Sequence, residues 1–336
     1  MRWLITGGCG FIGRTLIRRI AQDSSASFRI VDDLSTGTRE ELRAIIDFVE
    51  LDPNDDAIEW SNWARSRVEF VAADIREADV ARRLAVGAGV VAHLAANTGV
   101  TPSVQDPMRD CTTNVLGTLN YLEASRLNRV PRFVFASSNA PIGECEPPIH
   151  EELAAHPVSP YGASKLAGEA YCSAYARSFG VETVALRFAN CYGPLSSHKS
   201  SVVAKYIREA LTGTPWEIYG DGEQTRDFIF VEDLTEAIVL AATAQAVSGE
   251  VFQIATNVET TIRELAARLA ATLKAQRIDP PEIRFSSPRV GDMKRNYSDT
   301  TKALKILGWR PRVSLDDGLN RTVTWFLEAQ PKFAGA

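Results

Sequence analysis

The feature that most constrains this chain is a glycine-rich turn near its start. Gly7, Gly10 and Gly13 follow a short apolar run, Trp3-Leu-Ile-Thr6, and open a helical pattern over Arg14 to Ala21. Glycines between a strand and a helix let the backbone approach a pyrophosphate, and the helix N-terminus offers that group positive potential. A plain tight turn has the same composition, so the glycines alone do not decide. The next strand does more. Ser27-Phe-Arg-Ile-Val31 ends at Asp32-Asp33, where a dinucleotide-binding unit carries its acidic residue. A carboxylate there accepts from a ribose 2′-hydroxyl and repels a 2′-phosphate, which favours NAD over NADP.

The alternation continues. Val68–Ala72, Val90–Leu94, Arg132–Ala136 and Val184–Phe188 read as apolar strands. Helical stretches lie between them, including Thr113 to Arg126 with Val115, Leu116, Leu119 and Leu122 on one stripe. The expected fold is α/β: a Rossmann doubly wound parallel sheet with a smaller, interleaved α/β substrate domain. Residues 1–170 are expected to form the dinucleotide-binding domain, with part of 205–240 returning to it. Residues 171–330 should mainly bind substrate. The chain is expected to fray after Leu327.

Composition narrows the function. The 37 basic and 42 acidic residues give a net charge of −5 without a basic stripe, so nucleic acid is a poor partner. Five cysteines without a Cys-x-x-Cys pair fit reduced thiols, and four histidines without ligand spacing argue against a metal site. No apolar run approaches the ~20 residues that span a bilayer. Met1 runs almost directly into the glycine turn, which leaves no room for a signal peptide, so a cytoplasmic protein is expected.

Tyr161 and Lys165 stand four residues apart, one helical turn, and share a face. A cation beside a phenol favours phenolate and lowers the tyrosine pKa toward neutrality, making Tyr161 a candidate general base. The pair also occurs on many helices as packing plus a solvated charge; the dinucleotide turn is what raises its weight. Small residues at Leu94-Ala95-Ala96 leave space at a strand end, and Ser138 ends the strand before Tyr161. Asp74-Ile75 ends the third strand, where adenine could lie.

With these motifs placed, the chain resembles the extended short-chain dehydrogenase/reductases, specifically the NAD-dependent nucleotide-sugar epimerase/dehydratase family. The resemblance runs from Met1 to about Leu327. It rests on Gly7–Gly13, Asp32, Asp74-Ile75, His93-Leu-Ala-Ala96, Asn114, Ser137-Ser138, Tyr161-x-x-x-Lys165, Arg187-Phe-Ala-Asn190, Arg226-Asp-Phe and Arg289-x-Gly-Asp292.

The resemblance implies Tyr161 as base and acid, Lys165 as its tuner and ribose ligand, and Ser138 on the sugar hydroxyl. It implies NAD contacts from Gly7, Gly10, Phe11, Ile12, Gly13, Asp32, Asp33, Asp74, Ile75, Leu94, Ala95 and Ala96. Ser103, Asn190, Arg226, Arg289 and Asp292 would face the nucleotide sugar. Within the family the chain looks like the UDP-hexose 4-epimerases. The 4,6-dehydratases carry an Asp-Glu pair after the Ser/Thr position, where Asn139 and Ala140 stand here. One departure is Pro141-Ile-Gly143 in place of Val-Tyr-Gly. Asn296 replaces a bulky tyrosine of glucose-restricted relatives, which would leave space for an N-acetyl group. The resemblance also implies a homodimer, paired through helices near Val104–Arg126 and Tyr161–Phe179.

Overall fold

The computed structural model describes residues 1–55, 58, 60–63, 68–288 and 294–333. The strands are β1 (Arg2–Thr6), β2 (Ser27–Asp32), β3 (Val49–Glu50), β4 (Val68–Ala72), β5 (Val90–His93), β6 (Arg132–Ser138), β7 (Thr183–Phe188), β8 (Asn190–Tyr192), β9 (Trp216–Tyr219), β10 (Thr225–Arg226), β11 (Phe228–Phe230), β12 (Glu250–Ile254), β13 (Thr260–Thr261) and β14 (Ile283–Ser286). The helices are α1 (Phe11–Ile20), α2 (Arg39–Arg43), α3 (Ala78–Leu84), α4 (Val100–Gln105), α5 (Pro107–Cys111), α6 (Gly117–Leu127), α7 (Pro160–Phe179), α8 (Val202–Thr212), α9 (Val231–Thr243), α10 (Ile262–Ala275) and α11 (Leu315–Phe333).

Eight strands form one sheet in the order β12-β7-β6-β5-β1-β2-β4-β3. Every pairing in it is parallel. Parallel strands must be covered on both faces, and β2, β5 and β7 are buried at every position. The period-2 alternation divides β1 between two cores. Trp3 and Ile5 join Leu16, Ile17, Leu234 and Ile238 on the face covered by α1 and α9. Leu4 joins Val80, Leu84, Tyr121, Leu122 and Tyr175 on the face covered by α3, α6 and α7.

Strand order reverses between β1 and β5, which opens a crevice at their carboxyl ends. A third core, built on Tyr206, Trp216, Leu265, Leu269 and Phe326, belongs to the short-stranded region after β7. Arg14 joins the two regions: it is 3% exposed, donates to Leu195 O at 3.0 Å and pairs with Glu41 at 2.9 Å.

Two expectations need correction. The helix expected over Thr113 to Arg126 is continuous with α5 and passes through a wide π-type turn, Thr112–Leu116, before α6. That turn holds an extra residue, which rotates the stripe: Leu122 is fully buried but Leu116 is 50% exposed. The chain also does not fray after Leu327, because α11 continues to Phe333. Among the described residues, no helix is long and apolar enough to cross a membrane.

Candidate active site

The crevice is made mostly of backbone. Gly7 has φ +71, and a Cβ there would stand 2.8 Å from the Ala95 amide nitrogen, so β1 and β5 approach too closely for any side chain. A Cβ on Gly13 would stand 2.2 Å from Gly7 O, which fixes α1 tightly on the turn. No acidic residue lies in the first turn of α1, and no side chain caps it. Its first amides and positive dipole end are therefore available to an anion. At the end of β2, Asp32 accepts from Cys9 N at 2.9 Å and from Leu34 N at 2.8 Å. Burial pushes its carboxyl above the usual range, and these two amides partly offset this. A glycine cradle, an uncapped helix start and a buried carboxylate at the next strand end fit a dinucleotide.

Other predicted cofactor residues line the same strand ends. Thr6 Oγ1 accepts from Leu94 N and Ala95 N, each at 3.2 Å. Phe11 is buried, and Ile12, Ala95 and Ala96 are half-buried. Asp33 is exposed and accepts from Ser35. Asp74 is held by Arg76 at 2.6 Å, while Ile75 is buried beneath α6.

The candidate chemistry sits at the other wall. Ser159 caps α7 by accepting from Gly162 N at 3.1 Å, with Pro160 at its first position. This start brings Tyr161 to the carboxyl end of β6, where its phenol lies close enough to Ser138 for that hydroxyl to favour the phenolate. Lys165, one turn on, is 3% exposed and donates to Ala136 O at 2.9 Å. The three groups are brought together as expected, but their electrostatics are not. Burial pushes the Tyr161 phenol up to about 12; the Ser138 hydroxyl lowers it and Asp110 raises it further. Lys165 does not offset the burial: its ammonium donates to Ala136 O and lies 5.9 Å from the Tyr161 ring centre. Burial pulls Lys165 itself down to about 8. One turn of helix places the cation and phenol on one face but does not bring the charge to the hydroxyl.

Beyond Ser138, Asn139 is 5% exposed and donates to Ser298 Oγ at 2.9 Å and to Asn296 Oδ1 at 3.4 Å. Asn296 is itself 3% exposed, so it contributes to a packed polar floor. Farther along, Asn190, Tyr192, Lys205, Glu217, Tyr219 and Arg226 line a cavity of about 200 Å³ between β8, α8 and β9. Tyr219 donates to Glu217 at 2.5 Å. Sequence reading named Asn190 and Arg226 but not Lys205 and Tyr219; Tyr219 had only its place just before the turn at Gly220-Asp221-Gly222 as a signal, and Lys205, in α8, had none. Ser103 is fully buried in α4 and donates to Val100 O at 2.7 Å. Arg289 and Asp292 lie outside the described residues.

Comparison with known proteins decides the family. The family model described as "NAD dependent epimerase/dehydratase family" matches residues 3–255. The chain belongs to that family. A UDP-glucose 4-epimerase of Mycolicibacterium smegmatis is 38% identical over 331 residues, covering 97% of this chain and 98% of that protein. A Thermotoga maritima UDP-glucose 4-epimerase solved with UDP-glucose superposes with a TM-score of 0.85 at 33% identity, covering 98% of this chain and 100% of that one. A Thermus thermophilus UDP-glucose 4-epimerase solved with NAD gives 0.83 at 33% identity, with the same coverage. This member of the NAD dependent epimerase/dehydratase family takes NAD as its cofactor, and the glycine cradle with Asp32 has the shape and chemistry that fit a dinucleotide.

Proposed function

We propose that this protein inverts C4 of a UDP-linked hexose or N-acetylhexosamine through a transient 4-keto sugar. The observation that carries the reading is the meeting of Ser138, Tyr161 and Lys165 at the mouth of the dinucleotide crevice, with Asn139 and Ala140 following Ser138. An amide and a methyl group cannot supply the acid and base that eliminate water, so reduction of the ketone is the remaining exit. When bound, NAD⁺ supplies a hydride acceptor and a positive charge, and in reduced form a hydride donor.

The chain's own part is positional and acid–base. Tyr161 takes the proton of the 4-hydroxyl, directly or through Ser138, and later returns it. Lys165, set over the Tyr161 ring, holds ribose. Arg226 and Asn190 grip the diphosphate, since a guanidinium binds phosphate in a fork, and leave the hexose free to turn. The division of labour follows the cores: the eight-stranded sheet serves the dinucleotide, and the short-stranded region serves the nucleotide sugar. Val104 (59% exposed), Met108 (72%), Leu116 (50%) and Phe179 (55%) are exposed apolar side chains along α4 to α7, which suits pairing with a second copy of the chain through these helices.

The test is incubation of the purified protein with UDP-glucose, UDP-galactose and their N-acetylamino forms, without added cofactor, followed by NMR. Inversion at C4 with no net change in NADH is expected. Release of a 4-keto-6-deoxy sugar would overturn the reading. Light scattering of the same sample tests the dimer.

A further inference from the structure

The buried charges around Lys165 are unequally provided for. Glu169, one turn further along α7, accepts from Arg187 at 2.9 and 2.7 Å and from Ser137 Oγ at 2.5 Å. Asp110, in α5, differs. It is 1% exposed, and its Oδ1 accepts from Asn114 Nδ2 at 2.9 Å. Its Oδ2 is buried and meets no donor. Such an oxygen is costly to keep, and the described mechanism gives it no task.

Its surroundings point to one. Asn114 lies in the π-type turn, a kind of distortion that concentrates at functional sites. Asn114 Nδ2 also reaches Asn97 O at 3.0 Å and Ser164 Oγ at 3.2 Å. Ser164 precedes Lys165 and donates to Tyr161 O at 3.0 Å. Asp110 is thus tied to the turn of α7 that carries both candidate catalytic groups.

Four titratable groups face Lys165 or feel its charge: Asp110 from α5, Glu169 and Cys172 from α7, and His93 from β5. Glu169 is neutralised by Arg187. Burial keeps the Cys172 thiol protonated and pulls His93 down to about 3, so it carries no charge. That leaves Asp110, whose carboxyl burial pushes up and Ser164 and Lys165 draw down, as the anion without a cation of its own. An ammonium has three donors, and Lys165 uses one on Ala136 O.

We propose that Asp110 is a positioning residue: its buried carboxylate is the counter-charge that keeps Lys165 an ammonium beside Tyr161, and so sets the pH range in which the phenol works. The inference rests on the reading of Tyr161 as base.

The test is Asp110→Asn, which keeps shape and removes charge, measured on the cofactor-loaded enzyme. Without the anion the phenol ionises more easily and Lys165 gives up its proton more easily. Both limbs of the kcat/KM–pH profile should therefore move about one unit toward acid, and Asp110→Glu should restore them. A purely structural role would lower the rate equally at every pH and leave the limbs in place, which overturns the proposal. A second readout needs no substrate: tyrosinate absorbance on titration, taken as the difference between each protein and its Tyr161→Phe counterpart. The Tyr161 transition should come at lower pH in Asp110→Asn; superposed transitions overturn the proposal whatever the activity. If the wild type epimerises nothing yet this transition moves, the reaction reading fails and Asp110 keeps its role. Should Asp110→Asn not accumulate folded, Asp110→Ser carries the same expectation and the same refutation.

Discussion

The two sides of the active-site crevice are built differently. The side proposed to hold the cofactor is made from backbone: a turn with no room for a Cβ, the bare start of α1, and strand ends in one continuous parallel sheet. The side proposed to hold substrate is made from side chains: Lys205 on α8, and Tyr219 and Arg226 on strands of four and two residues. A ligand that stays bound through every turnover is suited by rigid amides. A sugar that must rotate between two hydride transfers is suited by a grip at its phosphates and little else. Changes on the first side should therefore remove the cofactor, and changes on the second should spare it.

The hardest blow to the cofactor side is Gly13→Val. Its Cβ would meet Gly7 O at 2.2 Å, so α1 must leave the turn. The purified variant should carry no nicotinamide by absorbance after denaturation, and no activity; retained cofactor would show that the cradle is not the holding element. Tyr161→Phe stands between the two sides. It should cost ~10²–10⁴-fold in kcat, the usual worth of acid–base catalysis, with cofactor content unchanged. Unaltered turnover would remove Tyr161 from the chemistry.

The same contrast explains what could be read from the sequence. Strand β4 coincides with its expected limits, and β1, β2, β5, β6 and β7 lie within two residues of theirs, because buried parallel strands leave continuous apolar runs. Asp32 was legible because its place is set by the strand before it. Lys205 and Tyr219 were not, because they meet only through the folding of α8 against β9, for which no local spacing codes. The Tyr161 pKa was misjudged for a related reason. Helical spacing predicts which face a group shares, but burial and the Ala136 carbonyl decide where the ammonium points.

Arg226→Ala tests the substrate side alone. Losing charged hydrogen bonds worth about 1.5–3 kcal/mol should raise KM for the nucleotide sugar roughly ten- to a hundredfold, with NAD retained. An equal loss of cofactor would erase the distinction drawn here.

The smallest effect sharpens the comparison by pH. His93 is 1% exposed in β5, with Thr6 Oγ1 at 2.9 Å and Thr118 Oγ1 at 3.2 Å on its two nitrogens. Burial first, and then Lys165, pull its pKa from 6.5 to about 3. Between those values the unfolded chain binds the proton that the folded protein refuses. Stability is therefore fully present above pH 6.5 and falls as pH drops below it, by about 1.4 kcal/mol at pH 5.5. His93→Gln keeps a polar group for both hydroxyls but cannot titrate. The variant should start less stable at pH 7.5 yet lose less on going to pH 5.5, read as the shift in urea midpoint. Because His93 lies in the eight-stranded sheet, hydrogen exchange at pH 5.5 should quicken first in β5 and β1 rather than in β9 and α10. Equal losses in both proteins would place the acid weakness elsewhere.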